Sequence, residues 1–160
     1  MTTKFTRAAA VSFCGLIAAG SAAADQSFSI VQDMPALTHV DVGGQGSSHG
    51  DIMAFEAPFI AEDGTTGEMH GIIITVAIPL GDSGTYLDRM AQIVVDFGQT
   101  DTLVIGGSAA YPNAEAEMTP DAPVLRAVLG GTGRFMGARG EVLTTRRDAG
   151  HYEHRFTLVD

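Results

Sequence analysis

Residues 130–141 read GGTGRFMGARGE, with glycine at 130, 131, 133, 137 and 140 and with Arg134 and Arg139 among them. Two structures call for so much bare backbone: a loop that cradles phosphate ahead of a helix, or a tight connection between strands. A phosphate loop needs amides and a helix dipole converging on the anion. Here Gly131, Gly133 and Gly137 miss the G-x-G-x-x-G spacing by one residue, and no Lys-Ser or Lys-Thr pair follows. The next segment, Gly140-Glu141-Val142-Leu143-Thr144-Thr145, is β-branched and alternating rather than helical. The stretch therefore predicts a strand-to-strand connection in which glycine supplies positive φ or lets backbones approach closely.

The same pattern runs outward in both directions. Strand-like runs occupy Phe28–Val31, Asp51–Phe59, Met69–Ile78, Met90–Phe97, Thr102–Gly106, Val124–Leu129, Gly140–Arg146 and Tyr152–Val159. Turn signals separate them, such as Glu62-Asp63-Gly64, Gly81-Asp82-Ser83-Gly84 and Asp148-Ala149-Gly150. No amphipathic helix stands out after the first two dozen residues. Eight short strands at this spacing predict an antiparallel barrel or sandwich. Polar loops are expected at Asp41–Gly50 and Ser108–Pro123.

Several runs are apolar on both faces. Ile72, Ile74, Val76 and Ile78 point one way and Ile73, Thr75 and Ala77 the other, while in Val124–Leu129 only Arg126 interrupts. A strand apolar on both sides needs cover on both. No helix is left to supply it, so the outside is expected to pack against another subunit.

The chain has 160 residues, one domain's length. Lys4 and Arg7, an apolar run over 8–19 and the exit Ala22-Ala23-Ala24 have the order of a secretory signal peptide cleaved after Ala24. An uncleaved membrane anchor is the alternative, although the run is too short for a resident span. The expected domains are a signal peptide over 1–24 and a barrel over 25–160, exported to the periplasm or outside the cell. Removal takes the single cysteine, Cys14, so no disulfide or thiolate metal site is expected. It also removes two positive charges and no negative ones, turning the formal net charge of −10 into −12. Such acidity disfavours nucleic acid as a partner.

Three stretches carry a resemblance. Residues 128–140, VLGGTGRFMGARG, resemble the VVGGTGxFRxARG signature of dirigent proteins and a similar glycine-rich stretch of allene oxide cyclases. Residues 50–59, GDIMAFEAPF, are similar to the dirigent strand G-x-V-V-V-F-D-D-P-L, and the cyclases also carry Gly-Asp followed by Phe there. Thr102–Gly107 resembles the family's GT-L-x-I-x-G strand. The resemblance spans roughly Gly50 to the C-terminus. It implies a closed, eight-stranded antiparallel β-barrel with an apolar cavity, assembled as a trimer. Dirigent proteins steer phenoxy-radical coupling or quinone-methide cyclisation, and allene oxide cyclases close a fatty-acid epoxide.

By that resemblance Glu56 stands at the first acid of the dirigent strand, Asp51 at the acid of the cyclases' Gly-Asp pair, and Arg139 at the arginine of the Ala-Arg-Gly triplet. Glu56 in an apolar cavity would act as a general acid; otherwise it is a surface carboxylate. Asp51 serves the site or caps a loop. Arg139 binds a ligand anion or ties strands to an acid such as Asp51 or Glu56. Phe55, Phe59, Tyr111 and Phe135 are candidates to line the cavity, or else plain core. Alternation puts Asp51 and Glu56 on opposite faces, so both cannot face the cavity without a bulge. His151 and His154 would not converge on a metal from one strand, and no metal or other cofactor is expected. The second dirigent acid is replaced by Ala57, and the glutamate that the cyclases carry in their first strand has no counterpart in Phe28–Gln32.

The expected function is an exported barrel that binds a hydrophobic small molecule and directs its cyclisation, isomerisation or coupling. A non-catalytic carrier for such a ligand and a barrel with a filled interior are the alternatives.

Overall fold

The computed structural model describes residues 26–78, 86–112 and 117–159; the expected signal peptide lies outside them. Nine strands follow in order: β1 (Gln26–Gln32), β2 (Ala36–Val40), β3 (Ile52–Ala61), β4 (Thr66–Ala77), β5 (Tyr86–Asp96), β6 (Thr102–Pro112), β7 (Val124–Thr132), β8 (Arg139–Arg146) and β9 (Tyr152–Val159). From β3 to β9 each pairs antiparallel with the next, and β1 lies between β9 and β3. Gln32 thus faces Phe59 of β3 on one side and Tyr152 of β9 on the other. This closes an eight-stranded antiparallel barrel, as expected, and β2 is one strand more.

β2 continues the path of β1 along β3 after a break at Asp33-Met34-Pro35. Seven residues of chain from Ile30 to Ala36 face six of β3 from Ala61 to Glu56, so the break inserts one residue, as a bulge does. Proline inside a paired strand costs a ladder hydrogen bond, yet β3 contains Pro58. Its carbonyl accepts from the Asp33 amide at 3.0 Å. A strand residue's N–H and C=O point to the same side, so the donor that Pro58 lacks falls at the break, where no regular ladder bond is required.

The glycine-rich stretch does what its sequence predicts. It ends β7, makes a short 3-10 turn at Gly133–Phe135 and starts β8. A Cβ on Gly131 would lie 2.5 Å from the Thr102 carbonyl oxygen and 2.7 Å from Phe135 Cβ. Gly140 has φ +148°, and a Cβ there would collide with the Thr157 carbonyl. Close packing of backbone on backbone, not anion binding, requires these glycines.

The turn carries Phe135 back into the end of the barrel. Phe28 stacks on Phe156 at 4.8 Å between centroids, Phe97 meets Phe135 at 5.0 Å, and Phe59 meets Phe97 at 5.1 Å. Arg134 covers this plug, its guanidinium 4.8 Å from the centre of the Phe135 ring and 5.0 Å from that of Phe97. The end where β3–β4, β5–β6 and β7–β8 connect is therefore shut by aromatic side chains. The opposite end carries the β1–β2 break, the β2–β3 loop and the β8–β9 turn.

The outer face is apolar and uncovered in the single chain, with Ile60 58 %, Leu125 54 % and Leu129 52 % exposed. Ile72, Ile74, Val76, Met90 and Leu129 border one groove over Gly106 and Gly107. Among the described residues no helix is long and apolar enough to cross a membrane.

Candidate functional site

A pocket opens at the end away from the aromatic plug. Its wall is apolar over Met69 and Ile73 of β4, Ile93 of β5 and Ile105 of β6, with Met118 from the β6–β7 loop and Phe55, Pro35 and Leu37 nearer the β1–β2 break. Space free of protein atoms within it and at its mouth amounts to about 510 Å³, of which the centre of a water molecule can occupy about 50 Å³. The hollow is narrow.

Against this wall stands a row of polar side chains. Strand alternation aims Arg126 of β7, Thr144 of β8 and His154 of β9 inward, each flanked by outward neighbours. Thr144 and His154 are direct cross-strand partners, and Thr144 Oγ1 lies 2.9 Å from His154 Nδ1. His154 Nε2 lies 3.0 Å from Gln32 Oε1. The Gln32 amide nitrogen donates to the Asp33 carbonyl, which leaves Oε1 to accept from the imidazole. His154 is thus held as the neutral tautomer with its proton on Nε2, and Thr144 donates to Nδ1. Burial, aided by the nearby Arg126 charge, pushes its pKa down to about 3.

Arg126 is 4 % exposed, and its Nη2 donates to the Tyr111 hydroxyl at 2.8 Å. Nearer the mouth, Glu117 binds Arg146 at 2.5 Å and accepts from the Tyr152 hydroxyl at 3.4 Å. Desolvation holds the Tyr152 phenol well above its ordinary value, so it stays protonated. Deeper in the wall, Arg89 lies beneath Tyr111, its guanidinium carbon 5.2 Å from the ring centre, with Nε donating to Thr75 at 3.4 Å. Burial lowers the Arg89 pKa, against the opposing effects of Tyr111 and Asp51. Among the described residues no group of three or more His, Cys, Asp or Glu side chains is placed to hold a metal.

The candidates read from sequence divide. Phe55 and Tyr111 line the pocket. Phe59 and Phe135 do not; they belong to the plug at the closed end. Asp51 shares the inner face of β3 but caps the β2–β3 loop, accepting from the backbone N–H of Ser48 at 2.6 Å and of Val42 at 3.0 Å. Those two bonds hold its carboxyl below the ordinary aspartate range. Glu56 is exposed on the outer face, opposite His70 of β4. Alternation decides this: with Met53, Ala57 and Phe59 inward, Glu56 must point out. Arg139 is also exposed and donates to the Ala138 carbonyl at 2.8 Å; its side chain lies over Gly130 rather than in the cavity. Glu56 and Arg139 are therefore not brought to the pocket, and Arg139 forms no ion pair with Asp51 or Glu56 among the described residues.

The sequence does not mark Gln32, Arg126, Glu117, Tyr152, Thr144 and His154 as pocket residues. Arg126 did carry a signal, being the only charge in an apolar run. His154 carried a weaker one, as a polar residue in register with inward Phe156 and Leu158. Glu117 sits in a loop and carried none.

No protein-family model matches the chain, and no curated protein matches it. Solved structures do share its fold. A pyocyanin demethylase matches with TM-score 0.61 and 15% identity, over 85% of this chain and all of the other. The Diels-Alderase AbmU from Streptomyces koyangensis matches with TM-score 0.59 and 18% identity, over 89% of this chain and 70% of the other. A pterocarpan synthase dirigent protein matches with TM-score 0.52 and 18% identity, over 85% of this chain and 94% of the other. The chain has the barrel fold shared by dirigent proteins and small-molecule cyclases.

Proposed function

We propose that this protein is an exported barrel that takes a slender hydrophobic molecule into its open end and directs the molecule's cyclisation, isomerisation or stereoselective coupling without a cofactor. One observation carries the reading: an apolar hollow, plugged at one end, onto which Tyr111, Arg126, Glu117 and Tyr152 converge from different elements. Such a wall favours a folded, near-reactive conformation of a flexible guest, which can supply several kcal/mol of a cyclisation barrier. Arg126 with Tyr111 offers donors to a developing oxyanion. Glu117 is the one carboxylate lining the pocket among the described residues and serves as the proton acceptor. The kinship of fold with a demethylase, a Diels-Alderase and a pterocarpan synthase supports small-molecule chemistry as the class. Export rests on the order of charge, apolar run and alanines in residues 1–24. A homotrimer, burying the apolar outer face, completes the reading and rests on that face and on the family resemblance.

The carrier reading has its own support. His154 is bonded at both ring nitrogens and titrates near pH 3, and Asp51 is committed to its loop. Among the described residues Glu117 is then the one carboxylate left at the pocket for proton transfer. Incubation with a lipophilic extract of the producing organism, followed by mass spectrometry of bound and free compounds, separates the two. Catalysis predicts a new product with wild type, lost in Glu117→Gln although that variant still binds ligand. A ligand that binds and leaves unchanged supports the carrier. No uptake by any variant refutes both.

A further inference from the structure

Buried guanidinium groups are costly unless a carboxylate compensates them, because the desolvation of each ion amounts to several kcal/mol. Elsewhere the described arginines in ion pairs are the more exposed ones: Arg134 with Asp101, Arg146 with Glu117, and Arg147 with both Asp121 and Glu153. Arg126 reverses this. It is nearly fully buried, no described acid pairs with it, and its Nε, like that of Arg146, has no hydrogen-bond partner. Glu117, which lines the same pocket, already serves Arg146 and Tyr152. Its hydrogen-bond partner among the described residues, the Tyr111 hydroxyl, accepts from Nη2 and retains a hydrogen to donate.

We infer that the pocket is built for an organic acid, whose carboxylate pairs with Arg126 and accepts from Tyr111 while its slender apolar body lies along Ile73, Ile93 and Ile105. The inference rests on the pocket reading above and gives Arg126 and Tyr111 the ligand's own carboxylate in place of a developing oxyanion. A carboxylate supplies a counter-ion for Arg126, a buried positive charge that no described acid pairs with. The isoleucines exclude water from that pair and so strengthen it. The chain's net charge of −10 opposes an anion at long range, but salt screens that repulsion within roughly 8 Å at physiological ionic strength, whereas Arg126 acts at contact.

The test uses two probe pairs matched in shape: trans-cinnamate with cinnamyl alcohol, and decanoate with decanol, titrated calorimetrically into the full-length processed protein near neutral pH. Wild type should bind at least one acid about 10-fold or more tighter than its alcohol, an order of magnitude fitting a charge-assisted pair. Arg126→Met should abolish that preference, the acid losing more affinity than its alcohol, and Arg126→Lys should keep part of it. The unliganded melting temperature of Arg126→Met should not fall, since an uncompensated buried charge has been replaced by an apolar chain. Equal affinity for acid and alcohol in wild type, or an acid preference that survives in Arg126→Met, overturns the inference and leaves the hydrophobic pocket standing. A clear drop in melting temperature overturns it as well, by making Arg126 a structural group. Binding of neither pair overturns both the inference and the pocket.

Discussion

Acidification should destabilise this barrel well before its carboxylates titrate, and His154 is the reason. In the unfolded chain the imidazole titrates near its ordinary value of 6.5, whereas in the folded barrel burial holds it at about 3. Between those values the unfolded state binds a proton that the folded state refuses. The stability contribution is therefore fully present above pH 6.5 and is lost as pH falls toward 3. One proton gives a slope of about 1.4 kcal/mol per pH unit, hence a loss of about 2 kcal/mol by about pH 5 and of about 3 kcal/mol by about pH 4.5. The shifted carboxylates, Asp51, Asp63 and Glu153, have lowered pKa values, so their contributions are intact above about pH 5 and begin to fade as pH falls through the ordinary carboxylate range. The upper part of the window isolates the histidine. The assay is urea denaturation followed by far-ultraviolet circular dichroism, since the chain has no tryptophan, at fixed protein concentration across that range. His154→Gln keeps an amide between Thr144 and Gln32 and should flatten the curve above about pH 5. A flat wild-type curve, or an equal slope in His154→Gln, would show that the imidazole is not the buried neutral group described.

Three further outcomes follow from other parts of the structure. Gly140→Ala forces a Cβ against the Thr157 carbonyl at φ +148° and should cost more than about 2 kcal/mol, whereas Gly137→Ala, with φ +87° but open space around it, should cost less; equal effects in thermal melts would contradict the close-approach account. Asp51→Ala should lower the melting temperature and speed protease cleavage within residues 42–50, because two backbone donors lose their acceptor; unchanged cleavage would refute the capping role. Sedimentation equilibrium at micromolar concentration should show a trimer, and Leu129→Glu should dissociate it to monomers; a monomeric wild type would remove the case for a covered outer face.

The strand pattern was readable because alternation and turn chemistry are local. All eight predicted strands are present, and the glycine-rich stretch is the strand connection that its β-branched sequel implied. β2 was not predicted: Ala36–Val40 has no strong periodicity, is exposed throughout, and exists because β3 offers it an edge. Pro35 and the extra residue at the break matter only once β1 and β3 are paired.

Parity along β3 already set Asp51 and Glu56 on opposite faces, and it set Arg126 apart as the lone charge of its strand. Which face of each strand turned inward, and which end of the barrel stayed open, were decided by closure of the sheet. Closure places Met53, Ala57 and Phe59 inside, sends Glu56 out, and gathers Phe28, Phe59, Phe97, Phe135 and Phe156 into one plug from five separate segments. It also sets Arg126 beside Tyr111 and His154 between Thr144 and Gln32, residues 10 and 122 positions away in the chain. Alternation is a property of neighbours along the chain and survives in the sequence. Convergence on a cavity is a property of strands brought together across the barrel, and only the folded sheet holds it.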